Sequence, residues 1–248
     1  MLRIEDYALI GDTQTAALVG RDGSIDWLCL PRFDSGACFA ALLGDQSNGR
    51  WWLAPAGPGH RVERRYVPGT LVLETTFHTS TGSVRITDCM PIRGEAPDVV
   101  RVVEGVSGTV AMDMHLCARF DYGSTVPWIQ RRLDGAVSLI AGPDALELFS
   151  AVPVEIDDDS LSAGFHVSHG DRVGFVLTWH RPTEPLARRA DPNRAVNDTV
   201  GWWQEWSQHC QVGGRWQEEV RSSLVVLKAL TYAPRVASWR RRRRRCLR

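Results

Sequence analysis

Lysine is almost missing: the 248 residues hold one, Lys228, against 28 arginines, a bias that points to GC-rich coding DNA. Long apolar runs are missing too. No window approaches the roughly 18 to 20 apolar residues that span a bilayer, which argues against a membrane partner. The first residues, Met1-Leu-Arg-Ile-Glu-Asp6, turn acidic at once and contain no apolar signal core, so a cytoplasmic protein is expected. The six cysteines (Cys29, Cys38, Cys89, Cys117, Cys210 and Cys246) include no closely spaced pair. That spacing suits neither a zinc site nor a dense disulfide scaffold, and reduced, mostly buried thiols are expected. Acidic residues are absent from the last fourteen positions, Arg235 to Arg248, which hold eight arginines. The formal net charge of zero therefore hides an asymmetry. Without that tail, 21 basic residues face 29 acidic ones, a body near −8.

What remains is ordinary globular composition, 44% hydrophobic and 23% charged, enough for a substantial core. Residues 15–30 read as a hairpin. Thr15-Ala-Ala-Leu-Val-Gly20 leads into Arg21-Asp-Gly-Ser24, where Asp-Gly tolerates the positive φ of a tight turn, and Ile25-Asp-Trp-Leu-Cys-Leu30 returns. Strands are expected at 49–53, 70–78, 83–89, 99–106, 109–118, 136–140, 145–150 and 173–180. Several of them alternate apolar and polar residues, as in Leu71-Val-Leu-Glu-Thr-Thr-Phe77. Short spacers of Gly, Pro, Asp and Ser predict an antiparallel β-sandwich, and no crossover helices support a parallel sheet. After residue 190 the period changes. Asp191-Pro-Asn193 opens a helix carrying Val196, Val200, Trp203 and Trp206, and Gly213-Gly214 interrupts it. A second helix carries Trp216, Val220, Leu224, Leu227 and Leu230, with Pro234 beyond its end. Both helices are amphipathic and need a covering surface; Trp202, Trp203 and Trp206 are expected to clamp the first onto the sheet.

Specific stretches, in order, resemble bacterial glycoside hydrolase family 15 enzymes of the trehalase and glucoamylase type. They are Ile4-Glu-Asp-Tyr-Ala-Leu-Ile-Gly-Asp-Thr-Gln-Thr-Ala-Ala-Leu-Val19 and Arg21-Asp-Gly-Ser-Ile-Asp-Trp-Leu-Cys-Leu-Pro-Arg-Phe-Asp-Ser35, then Phe39-Ala-Ala-Leu-Leu43 and Tyr66-Val-Pro-Gly-Thr-Leu-Val-Leu-Glu-Thr-Thr-Phe77. Ile86-Thr-Asp-Cys-Met-Pro91, Arg119-Phe-Asp-Tyr-Gly123 and Leu227-Lys-Ala-Leu-Thr-Tyr-Ala-Pro234 continue the series. The resemblance implies an amino-terminal β-sandwich of the supersandwich kind over 1–190 and a helical linker over 191–234. An (α/α)6 barrel would follow, whose two glutamates invert an α-glucoside, one donating a proton and the other activating water. The barrel would be this chain's partner in cis, and no catalytic residue is expected within the chain itself. The family continues after Ala-Pro with a Gly-Gly-Ile-Val-Ala-Ala stretch. Codons CGN-GTN-GCN-TCN-TGG-CGG-CGG for Arg235 to Arg241, read from each third base, encode that stretch when the open third bases are suitable. A one-base slip is therefore expected behind the arginine tail; coding DNA without a barrel frame downstream would refute it.

The same resemblance directs attention to the loop after Leu30. Arg32, Phe33 and Asp34, with Trp27 before them, combine a bidentate donor, aromatic faces and a carboxylate, a mixture suited to sugars at a pocket rim. The competing expectation is a structural corner in which Arg32 pairs with Asp34 and Phe33 packs. Trp27, Trp51, Trp52, Trp128 and Trp179 could make a carbohydrate platform, although indoles more commonly serve as buried anchors. No metal or other cofactor is expected. His166 and His169 lack a third ligand, and Asp157-Asp-Asp159 lacks the Gly and Glu of a calcium loop. Ser35 and Ser107 lack a nucleophile setting, and nothing pairs Glu74 with Asp121 for acid–base work. Four functional readings follow: a non-catalytic brace, an active hydrolase, a stand-alone sugar-binding module, or polyanion binding through the tail. No aromatic groove or zinc motif supports specific nucleic-acid binding. Unpaired apolar faces favour self-association.

Overall fold

The computed structural model describes residues 2–185, 189–210 and 212–234. The expected arginine tail at 235–248 lies outside them. The described chain is mainly antiparallel β with two helices at its carboxyl side. The first sheet runs in the order β1 (Tyr7–Gly11), β2 (Ala16–Gly20), β3 (Ser24–Cys29), β5 (Arg50–Pro55), β9 (Asp98–Cys117), β14 (Ser160–Ser168) and β13 (Glu155–Asp157); the short β4 (Ala37–Phe39) also pairs with β3. The second runs β6 (Arg61–Tyr66), β7 (Leu73–His78), β8 (Gly82–Cys89), β9 again, β15 (Arg172–His180), β12 (Asp144–Ser150), β11 (Val137–Ala141) and β10 (Trp128–Arg131).

β9 belongs to both sheets. Its first half pairs with β8 and β15, and its second half with β5 and β14. Sequence patterning predicts two strands here, 99–106 and 109–118, because Gly105, Ser107 and Gly108 break the apolar alternation. The structure corrects this to one 20-residue strand that changes sheets at those small residues. Gly105 is required there: a Cβ would stand 2.0 Å from the Ser168 carbonyl oxygen. Gly108 has φ of 62° and an equally close approach to Thr81. A close backbone crossing of this kind admits no side chain.

Side chains of both sheets meet in one core that includes Ile10, Val19, Trp51, Phe77, Ile86, Val103, Leu116, Leu148 and Phe175. Inside it lies a fully buried ion pair. Arg101 Nε donates to Asp88 Oδ1 at 2.8 Å, while its Nη1 and Nη2 donate to the carbonyls of Trp51 (3.0 Å) and Gly23 (2.8 Å). The guanidinium also stands 5.2 Å from the Trp51 ring centroid. A buried charge persists when its donors and acceptors are matched, and here they tie the second sheet to the β2–β3 turn of the first. That turn, with Gly23 at φ 84°, is the one the Asp-Gly signal predicts.

α1 (Pro192–Gln208) starts where the sequence places it, with Asp191 accepting from the Arg194 N–H at 2.7 Å and Pro192 in the first turn. It covers the outward face of the second sheet. Ala195, Val196 and Val200 pack with Val72, Val100, Val102, Phe149 and Val176. The tryptophans act elsewhere. Trp203 is fully buried with Leu71, Val225 and Ala229, edge-on to Trp202 and Trp206 at centroid distances of 4.9 and 6.2 Å. They join α1 to α2 (Gln217–Leu230) rather than to the sheet, because small and β-branched residues nearer the amino end already fill the sheet contact.

Candidate functional site

Asp12, in the β1–β2 turn, is fully buried and organises a corner. Its Oδ1 accepts the N–H groups of Gln14 and Thr15, both at 2.8 Å, the local geometry that short acidic side chains give turns. Its Oδ2 takes Arg93 Nε at 2.9 Å and Nη2 at 2.7 Å. Thr13, at φ 71°, then turns its carbonyl toward the end of α2 and accepts the Ala233 N–H at 3.0 Å. The Gln14 carbonyl accepts the Phe33 N–H at 3.0 Å. One turn thus fastens both the loop after β3 and the exit of α2.

That loop is shaped by its own residues. Pro31 cannot donate to a strand, the Ser35 N–H returns to the Arg32 carbonyl at 3.1 Å, and Arg32 N–H donates to Ser35 Oγ at 3.2 Å. Arg32 and Asp34 form a two-point pair, 2.9 and 3.0 Å, in an exposed position. Arg32, Phe33 and Asp34 line a cleft of about 280 Å³ with Tyr232. Trp27 is not on that cleft. It packs with Cys29, Ala37 and Ala40 and meets Tyr122 at a centroid distance of 6.1 Å, reaching the loop through Tyr122 Oη and the Ser35 carbonyl at 3.5 Å. Arg32 and Asp34 pair, as the structural-corner expectation has it, and they line the cleft together with Phe33.

The five tryptophans do not form one platform. Trp51 is in the core, Trp179 donates its Nε1–H to Asp144 at 2.9 Å, and Trp128 is exposed on β10. Trp52 lies half-buried beside a separate cleft of about 580 Å³, shared with Gln46, Arg50, His115, Arg119 and Asp159. A third cleft of about 660 Å³ lies between α1 and Pro91–Ile92.

Carboxylates along these clefts are committed to cations or caps. Asp34 pairs with Arg32, Asp159 with Arg119, Asp198 with Arg194, and Asp191 caps α1. Glu74 bridges to Arg65 and Arg85, while Asp121 lies in a turn with Ser124. Glu74 and Glu104 line one further cleft, where Arg85 stands 4.0 and 3.8 Å from them, so both are held by a cation. The most perturbed carboxyl is Asp98, pushed up to about 6 by burial; a hydrogen bond from Thr178 Oγ1 at 2.5 Å opposes the shift, Asp12 adds to it, and Arg93 counters it. His166 is on β14, whereas His169 stands past the strand with its Nδ1 2.7 Å from the Val106 carbonyl. No cluster of three metal-binding side chains occurs among the described residues. The Asp157–Asp159 run is a hairpin turn whose last member holds Arg119.

Comparison with known proteins places this architecture. A model of the family described as trehalase-like, N-terminal, matches residues 1–195. The chain belongs to that family. It is 31% identical to the trehalase of Mycobacterium tuberculosis over 263 aligned residues, covering 93% of this chain and 38% of the relative. Trehalase 1 of Sulfolobus acidocaldarius is also 31% identical, with 94% and 39% covered. The trehalase of Thermoplasma volcanium is 26% identical, with 94% and 38% covered. This trehalase-like domain chain therefore spans less than two-fifths of the length of the curated relatives it matches. The crystal structure of a bacterial glucoamylase complexed with acarbose shares its fold, with a TM-score of 0.63 at 9% identity over 90% of this chain and 40% of that one.

Asp12, Gln14, Arg93 and Tyr232 escape site prediction from sequence, since nothing local links position 12 to 93 or 232. The one local feature is the Asx-type turn that Asp12 makes with the N–H groups of Gln14 and Thr15.

Proposed function

We propose that this chain serves as the non-catalytic β-sandwich and linker portion of a trehalose- or α-glucan-cleaving family 15 hydrolase. In this reading residues 1–190 form the sandwich and 191–234 the linker that docks a catalytic (α/α)6 domain. Arg32, Phe33 and Asp34 border the α-glucoside pocket, and Trp27 supports their loop through Tyr122. One observation carries the reading: the apolar stripe of α2 is left exposed among the described residues. Trp216 (61% exposed), Val220 (43%), Leu227 (61%) and Leu230 (52%) recur at helical spacing, opposite buried Val225 and Ala229. An exposed row of this kind marks a surface that another body covers. The cleft with Tyr232 opens directly after that helix, so a domain seated on α2 meets the loop.

The committed carboxylates support inactivity of the isolated chain, and the five cysteines among the described residues, all unpaired there, support a reducing, cytoplasmic setting. Purified 248-residue protein is expected to release no glucose from trehalose or maltose above the level of a mock preparation. Release at an enzyme-like rate would overturn the reading.

A further inference from the structure

The cleft beside Trp52 lies on the outward face of the first sheet, whereas α1 covers the second. Its wall is set by strand register. Trp52 on β5 stands directly opposite His115 on β9, and Arg50 opposite Cys117, so these four side chains project from one face in two adjacent rows. Ser160, at the start of β14, extends the second row. The short turn at Gln46–Asn48 closes one end, held by Asp45 accepting the Ser47 N–H at 2.8 Å.

The charges are balanced before any ligand arrives. Arg50 pairs with Asp22 at 3.0 Å and with Asp26 at 3.4 Å. Arg119 donates to the Ala118 carbonyl at 2.8 Å, the Asp159 carbonyl at 3.1 Å and the Asp159 carboxylate. Burial pushes the Cys117 thiol up, so it adds no thiolate. An anion would have to compete with existing partners for each guanidinium. Available instead are the half-buried Trp52 ring and the exposed His115 imidazole and Gln46 amide, while the half-exposed Asp159 carboxylate is already held by Arg119. At about 580 Å³ the cleft is within the roughly 300–1,000 Å³ range of small-molecule sites. An aromatic ring suits the CH groups of a pyranose, and the amide and imidazole suit its hydroxyls.

We propose that the cleft formed by Trp52, His115, Gln46 and Asp159 binds a neutral hexopyranose unit, at a place separate from the Arg32–Tyr232 cleft. The site needs no catalytic domain and stands whether or not α2 docks one.

The test is a titration of the isotope-labelled full chain with maltotriose, followed by NMR and calorimetry, with inorganic phosphate as a parallel arm. Saturable shifts of the Trp52 indole N–H and the His115 ring are expected, at affinity in the millimolar range or tighter. Trp52→Ala should weaken binding about tenfold or more, equivalent to roughly 1.4 kcal/mol, while Trp128→Ala, on a distant exposed strand, leaves it unchanged. Should Trp52→Ala fail to fold, Gln46→Ala and His115→Ala, both at exposed positions, carry the test through the same weakening. The proposal is overturned by an absence of saturable shifts, by shifts confined to Arg32, Phe33 and Tyr232, or by phosphate displacing maltotriose from the cleft.

Discussion

The two helices carry similar apolar periodicities and meet opposite fates. α1 sets Ala195, Thr199 and Trp203 into buried positions and lays Val196 and Val200 on the second sheet. α2 buries Val225 and Ala229 and leaves its larger residues, Trp216, Leu227 and Leu230, in water. An amphipathic pattern therefore states that a face wants covering without saying what covers it. The small side of α2 is the one the described residues cover, Val225 and Ala229 packing with Trp203 and Leu71.

The difference can be broken most sharply at Trp203. Replacing it with alanine empties the joint between α1, α2 and Leu71, and should cost about 3–5 kcal/mol in urea melts. Loss below about 1 kcal/mol would mean that α2 is held by its end contact at Thr13 instead. A smaller effect tests the covered side through its half-buried acid, Asp98. By strand alternation Asp98 shares the outward face of β9 with Val100 and Val102, the residues under α1. Its folded value near 6 lies above the ordinary 3.8, so the native state holds the proton longer than the unfolded chain. This group's contribution to stability is therefore largest below 3.8, declines as pH rises toward 6, and is constant above that. Asp98→Asn should remove this decline. Chemical denaturation across that window should show a variant-minus-native difference growing with pH, by on the order of 2 kcal/mol. A difference independent of pH would remove burial as the cause. The smallest stability effect is expected on the uncovered side. Trp216→Gln with Leu227→Gln should change unfolding free energy by no more than about 0.5 kcal/mol. Light scattering should nonetheless show the native chain self-associating and the double variant shifting toward monomer. A native chain already monomeric at high concentration would count against the stripe as a docking surface.

Legibility in the sequence followed the same division. The β2–β3 hairpin was readable because Asp22-Gly23 both demands and permits a tight turn. β7, β8, β11, β12 and β15 alternate or run apolar and fall close to their expected places. β6 was not readable: Arg61-Val-Glu-Arg-Arg-Tyr66 buries no residue and is a strand because β7 offers it a ladder. β14, with Gly164 and three serines on its outward face, was hidden for a similar reason, and so was the passage of β9 between sheets. At the candidate site, the Arg32–Asp34 pairing followed from spacing two residues apart. The arrival of Tyr232 beside it, and the separation of Trp27 from it, did not.

Turn chemistry, helix caps and the family motifs are short-range properties, each decided by a few neighbouring residues, and the amino-acid order determined them alone. Which apolar faces met, which charges were neutralised, and which tryptophan was left beside a cleft depended on partners tens of residues away. Arg101 with Asp88 and Gly23, and Asp12 with Arg93, are the clearest cases. Those choices belong to tertiary structure because burial makes an unmatched group costly, and a match is defined only when distant segments are brought together.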